Sequence, residues 1–138
     1  MSIDIGVMLR GQYPFGVDMV HMAEDLLEQA RLADSLGYDS ITKGSHYSTP
    51  DYQALQQIPL LARLTGEVKR ARLNAGIVIL PLHKPLDLAE QLATLDILCN
   101  GRLIFGVGIG YREVEFNAFG TSQKERGART TENLIAIK

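Results

Sequence analysis

Short apolar runs alternate along this chain with longer segments in which apolar residues recur every three or four positions. The short runs have the length of strands, and the longer segments have the period of helices that pack on one face. The predicted strands are residues 3–9, 38–42, 73–80 and 103–107. The predicted helices are residues 19–36, 55–65, 85–99 and a last one that begins near Lys124 or Thr130. This alternation predicts right-handed crossovers and a parallel α/β sheet, and it fits a barrel and a doubly wound open sheet equally well.

Proline, asparagine and glycine set the limits of these elements. Pro85 suits the first turn of a helix, because its missing N–H needs no partner there. Asn100 and Gly101 are expected to end that helix, since both tolerate the left-handed conformation at a helix C-terminus. Pro59 predicts either a kink or a late helix start that places it in the first turn. Residues 111–119 are expected to form a loop that can include a turn of helix.

Three glycines accompany the last predicted strand. Residues 103–107 are too few for a helix and too apolar for a strand with one wet face, so we expect a parallel strand covered on both sides. Gly106, Gly108 and Gly110 remove side chains at its end, which makes room for a flat or phosphorylated group against the backbone. A tight strand exit would use the same glycines, so both interpretations stay open.

Composition narrows the class of protein. A chain of 138 residues with 46% hydrophobic and 22% charged residues suits one globular domain, residues 1–138. A net charge of -2 argues against a nucleic-acid groove or a membrane-surface patch. One cysteine, no signal-peptide layout and no long apolar run predict a cytoplasmic protein without a disulfide. The three histidines lack metal-ligand spacing, so no metal site is expected.

His46 is the candidate catalytic residue. It lies in the polar segment that follows the second predicted strand, and an imidazole there can move a proton near neutral pH. The plainer alternative is a loop histidine that hydrogen-bonds to the backbone. We interpret His83 and Lys84 as structural, His21 as solvent-facing and Cys99 as a small buried hydrophobe.

An ordered series of short motifs identifies a family resemblance. In sequence order the motifs are LAEQ, ATLD, GRL, GVGIGY, EF, AFG and ERGAR. Together they resemble the luciferase-like monooxygenase family, densely over residues 88–130 and more loosely back to Ile3. The resemblance implies a (β/α)8 barrel of the TIM type, of which this chain would be the N-terminal half with about four β/α units.

The family resemblance also implies a function. The expected cofactor is reduced flavin mononucleotide (FMN) or a deazaflavin coenzyme, and the expected substrate is a small organic molecule. A flavin reductase and a second copy of the chain, in a homodimer, are the expected partners. Nucleic acid and membranes are not expected as partners.

The resemblance assigns roles to residues that follow the second predicted strand, lie within the third and follow the fourth. It places His46 on the substrate side, although the family often has an acidic-His or His-His pair where this chain has Gly44-Ser45-His46. A bulge with a non-proline cis peptide is expected at Gly76 and Ile77, where a side chain supports the flavin ring. The segment Gly108, Ile109 and Gly110 is expected to meet the reactive edge of the ring, with Gly108 where luciferase has a cysteine.

The length suggests an incomplete barrel. A whole (β/α)8 barrel needs about 250 residues, and this chain ends within an apolar-periodic segment. We therefore expect a fragment, or a half-barrel that completes its sheet with a partner. Alone, it is expected to bind flavin weakly or not at all. The alternative function is a non-catalytic half-barrel that associates with itself or with a partner.

Overall fold

The structure is a computed structural model and describes residues 3–138. Strands and helices alternate along the described chain. The strands are β1 (Gly6–Leu9), β2 (Gln12–Tyr13), β3 (Ser40–Lys43), β4 (Gln53–Ala54), β5 (Arg72–Ile79) and β6 (Leu103–Gly108). The helices are α1 (Met19–Ser35), α2 (Gln57–Leu64), α3 (Pro85–Leu98), α4 (Glu113–Ala118) and α5 (Arg126–Ile137). Short 3-10 turns at Leu80–Leu82 and Gln123–Glu125 precede α3 and α5.

Four strands form one parallel sheet in the order β1, β3, β5, β6. Each consecutive pair is joined by a helix, which confirms the predicted α/β architecture. Because all four strands run in one direction, their carboxyl ends lie at the same end of the sheet. The loops that follow the strands lie at that end as well.

One face of the sheet packs against the helices. The centre of the core is formed by Ile41 on β3 and by Leu73 and Ala75 on β5, which have no exposed surface. The helices cover these residues with apolar faces at three- and four-residue spacing. The buried helical residues include Leu26, Leu27, Ala30, Leu60, Leu61, Leu64, Leu88, Leu92 and Leu95. Cys99 is buried in the same cluster, as predicted.

Proline and capping residues explain the helix limits. Helix α1 begins after Asp18, whose carboxylate accepts the backbone N–H groups of Val20 and His21. Pro59 is the third residue of α2, which confirms the late start rather than the kink. Pro85 is the first residue of α3, as predicted, and Asn100 and Gly101 follow its end with positive φ. His21 is exposed near the start of α1.

Two predictions need correction, and one pair of strands was not predicted. Strand β1 begins at Gly6 instead of Ile3, because pairing with β3 begins only where Gly6 meets Ser40. Strand β6 is half-buried along its whole length, so it is not covered on both sides as predicted. The reason is that β6 is the last strand of the four-stranded sheet that residues 3–138 form. The small antiparallel pair of β2 with β4 was not predicted.

A local irregularity interrupts β5. The register against β6 shifts between Ala75 and Val78, and the peptide bond between Gly76 and Ile77 is cis, at the predicted position. A Cβ atom at Gly76 would lie 2.9 Å from Cγ2 of Thr42 and 3.0 Å from Nδ2 of Asn74. Only glycine fits this close approach without displacing its neighbours.

Candidate active site

A cleft of about 690 Å³ lies at the carboxyl ends of the parallel strands. Five of the six predicted site residues line it, namely His46, Gly76, Ile77, Ile109 and Gly110. Gly108 does not line the cleft but lies directly beside it, because a Cβ atom at Gly108 would overlap the end of the Ile77 side chain. The fold therefore brings together residues of three separate strands and of the loops that follow them.

The floor of the cleft is apolar. Ile77 is 45% exposed and Ile109 is 47% exposed, on neighbouring strand ends. Because exposed isoleucine is unfavourable in water, two such side chains in one concave site favour an apolar, flat ligand surface. The missing side chain at Gly108 lets Ile77 occupy the space between the two strands.

His46 is paired with a buried carboxylate. Its Nδ1 atom lies 3.3 Å from Oε1 of Glu115, which is 1% exposed in the first turns of α4. The same oxygen accepts the backbone N–H of Tyr47 at 3.0 Å and lies 3.5 Å from a guanidinium nitrogen of Arg112. When Glu115 is ionised, its carboxylate can only accept hydrogen bonds, which assigns the donor role to Nδ1 of His46; in the neutral imidazole Nε2 then carries the free lone pair. The plain backbone-bonded loop histidine is therefore not what the structure contains.

Gln57 joins two strand ends below the cleft. Its side-chain amide is buried at the start of α2 and donates to the carbonyl of Lys43 at 2.5 Å and to that of Ile77 at 3.2 Å. These bonds fix the irregular end of β5 against the end of β3. Carbonyl groups freed from regular sheet pairing are satisfied in this way.

Lys43 is a buried cation at the edge of the cleft. Only 5% of the residue is exposed, and its Nζ atom donates to the carbonyl of Gly44 at 3.0 Å. Burial lowers the pKa of the Lys43 ammonium below its ordinary value of 10.5, because removing the group from water disfavours its charged form.

Sequence reasoning missed Glu115, Gln57 and Lys43. Glu115 belongs to the EF motif, and Lys43 is the charged residue at the end of β3. Both residues are visible in the sequence, but nothing in the sequence shows which other residue each side chain contacts. His83 lies outside the cleft lining and contacts the hydroxyl of Tyr47 at 3.4 Å and the ring of Phe119, consistent with a structural role.

Across residues 3–138, no group of three or more His, Cys, Asp and Glu side chains is placed to hold a metal ion. None of the helices in the same range has the length and apolar character needed to span a bilayer.

Comparison with known proteins places this geometry in a family. The luciferase-like monooxygenase family model matches residues 5–138. The chain is 30% identical over 135 residues to 4-hydroxyprotoasukamycin monooxygenase of Streptomyces nodosus subsp. asukaensis, covering 98% of this chain and 36% of that protein. It is 31% identical over 117 residues to the oxygenase component of flavin-dependent trigonelline monooxygenase of Acinetobacter baylyi. That alignment covers 83% of this chain and 32% of that protein.

A solved structure shares the fold. The oxygenating constituent of 3,6-diketocamphane monooxygenase of Pseudomonas putida, solved in complex with FMN, superposes with a TM-score of 0.89 at 21% identity. The alignment covers 99% of this chain and 39% of that one, so the chain spans about two fifths of the structure it matches. It spans about one third of the two curated relatives. The four β/α units are thus part of a TIM-type barrel, and the chain belongs to the luciferase-like monooxygenase family.

Proposed function

We propose that this chain forms the flavin- and substrate-facing wall of a flavin-dependent monooxygenase that acts on a small organic molecule. One observation carries the proposal: the apolar floor of Ile77 and Ile109 lies in the same cleft as His46, which is oriented by a buried carboxylate. The flavin dependence printed for the trigonelline enzyme and the FMN bound in the diketocamphane enzyme support the choice of cofactor.

The residues present fit a flavin. Half-exposed Ile77 and Ile109 offer a surface for a flat ring, and Gly76 and Gly110 carry no side chain that would cover it. Reduced FMN would supply the electrons with which molecular oxygen is activated. A deazaflavin coenzyme, which would instead serve hydride transfer, is the alternative cofactor. A separate flavin reductase would deliver the reduced FMN, in keeping with a relative that is named an oxygenase component.

The chain's own residues have distinct tasks in this proposal. Glu115 holds Nδ1–H of His46, so that Nε2 can accept or return a proton at the substrate. Gln57 fixes the carbonyl of Ile77 and thereby the position of the apolar floor.

A nuclear magnetic resonance titration of the purified chain with FMN tests the proposal. We expect weak binding, with ring-current shifts at the methyl groups of Ile77 and Ile109. Ile109→Glu should remove these shifts, whereas Ile135→Glu, at an exposed position of α5 outside the cleft, should keep them. The same titration with a deazaflavin decides between the two cofactors. Unchanged Ile77 and Ile109 methyl signals with both cofactors would contradict the proposal.

The second candidate function is a non-catalytic module that associates with another copy of itself. The exposed Leu86, Ile97 and Leu98 of α3 favour it, because large apolar side chains on one helix are typical of contact surfaces. Light scattering after size exclusion would show a dimer of this chain, and Ile97→Lys should make it a monomer. A colourless dimer without FMN-induced shifts would support this function over the enzymatic one.

A further inference from the structure

The charged residues that line the cleft all have the same sign. Arg10, Lys43 and Arg126 are cationic, and no aspartate or glutamate of residues 3–138 is part of the lining. The whole chain, in contrast, has a net charge of -2. The cleft is therefore a local positive region in a weakly acidic chain, which favours an anionic ligand.

Of the 14 lysines and arginines of the chain, all within residues 3–138, three pair with a carboxylate, and all three lie outside the cleft. Arg31 and Arg63 both pair with Glu67, and Arg112 lies 3.5 Å from Glu115. Within residues 3–138, the three cleft cations form no such ion pair at 4.0 Å or less. Arg126 instead donates to the carbonyl of Gly110 at 3.2 Å, which leaves most of its guanidinium donors for another acceptor.

Lys43 has the greatest need of an acceptor. An ammonium group has three N–H donors, and the carbonyl of Gly44 accepts one of them among the described residues. A buried charge without a counterion is costly, and an anion bound in the cleft would offset that cost. The lowered pKa of the Lys43 ammonium has the same physical origin.

We propose that the substrate is an organic carboxylate, with an apolar body on Ile77 and Ile109 and its anionic group bound by Lys43, assisted by Arg10 and Arg126. The proposal rests on the proposed function in taking this cleft as the substrate site, and it adds the chemical class of the substrate. The phosphate of FMN is an alternative source of negative charge, which the experiment must separate.

Binding of matched neutral and anionic probes tests the proposal without any turnover. The probes are 2-naphthoate and its neutral counterpart 2-naphthamide, titrated by nuclear magnetic resonance into the purified chain. We expect naphthoate to bind about tenfold more tightly than naphthamide. Lys43→Met should bring this ratio close to one while relieving a buried charge, and Lys43→Arg should restore part of it.

Lys69→Met is the matched control. Nζ of Lys69 also donates to a backbone carbonyl, that of Gly66 at 2.7 Å, but the residue is exposed at the opposite end of β5. This variant should keep the preference for naphthoate. Equal binding of the two probes to the unmodified chain, or a preference that survives Lys43→Met, would overturn the proposal.

A second arm compares FMN with riboflavin, which lacks the phosphate. If Lys43→Met weakens FMN relative to riboflavin but leaves the naphthoate preference unchanged, Lys43 serves the cofactor phosphate and the substrate proposal is wrong. If the naphthoate preference depends on Lys43 although FMN causes no shifts, the carboxylate site stands and the flavin proposal fails.

Discussion

Nδ1 of His46 and Oε1 of Glu115 lie 3.3 Å apart, although the two residues are 69 positions apart in the chain. The loop that follows β3 supplies the histidine, and α4, which follows β6, supplies the carboxylate. Because Glu115 is almost completely buried, its carboxylate contacts the imidazole from the side that faces the protein interior. The free Nε2 atom is thereby the one available for proton transfer.

The first prediction concerns the tautomer of His46. Nitrogen-15 spectra of the neutral imidazole should show the proton on Nδ1, because the Glu115 carboxylate can only accept. Glu115→Ala removes that acceptor and should shift the population toward the Nε2–H form. His21, which is exposed on α1, should keep its tautomer populations in the variant. A His46 that is mostly Nε2–H in the unmodified protein would contradict the assigned hydrogen bond.

The second prediction concerns Gly110 at the end of β6. Its φ is 72°, and a Cβ atom there would lie 2.7 Å from Cγ2 of Ile79 and 3.1 Å from the Phe116 ring. Gly120 also has positive φ, at 64°, but a Cβ atom there would meet nothing within 4 Å. Both Gly→Ala variants should lose about 1–2 kcal/mol of unfolding free energy to backbone strain. Overpacking should cost Gly110→Ala about 1–3 kcal/mol more in urea unfolding. Equal losses at the two positions would contradict the contact with Ile79.

The third prediction concerns Asp34 at the end of α1. Its carboxylate accepts the backbone N–H groups of Lys69, Arg70 and Ala71 at 2.8, 3.1 and 2.7 Å. Burial alone would raise the pKa of Asp34, but these bonds outweigh it and hold the pKa below 3.8. Asp34→Ala should therefore cost about 1–3 kcal/mol of unfolding free energy near neutral pH.

The pH dependence of that cost has a definite sign. A carboxyl group with a lowered pKa in the folded state stabilises above its unfolded pKa, and the effect is lost as the pH falls through the folded pKa. The difference between Asp34→Ala and the unmodified protein should therefore shrink below about pH 4. Asp51→Ala, at an exposed loop position, should differ little from the unmodified protein at any pH. A difference that stays constant down to strong acid would argue against the carboxylate as the source.

The fourth prediction concerns His83, which packs against the rings of Tyr47 and Phe119. Burial lowers the pKa of His83 below 6.5, and the Asp87 carboxylate opposes the shift only in part. The unfolded chain therefore takes up this proton first as the pH falls, and stability decreases from about pH 6.5 down to the folded pKa. His83→Gln should remove this part of the decrease in urea unfolding, whereas His21→Gln should not. An identical pH profile for His83→Gln and the unmodified protein would contradict the prediction.

Local patterns determined most of the regular structure. Pro85 and Asn100-Gly101 limit α3, and the apolar run around Leu103 becomes β6, because these signals act over a few residues. The position of the irregularity at Gly76 was predicted from the family resemblance. The pairing of Gln12 with Ala54 was not predictable, because two-residue strands leave no periodic pattern.

The sequence by itself determined the order of the four parallel strands and of the helices that join them, and the segments in which His46, Ile77 and Ile109 lie. Only the tertiary structure decided that Glu115 orients His46, that Gln57 joins β3 to β5, and that Lys43 is buried with no carboxylate of residues 3–138 within 4.0 Å. The physical reason is distance along the chain. Hydrophobic periodicity acts within one element, whereas these polar contacts form only when elements from different parts of the chain meet at one edge of the sheet.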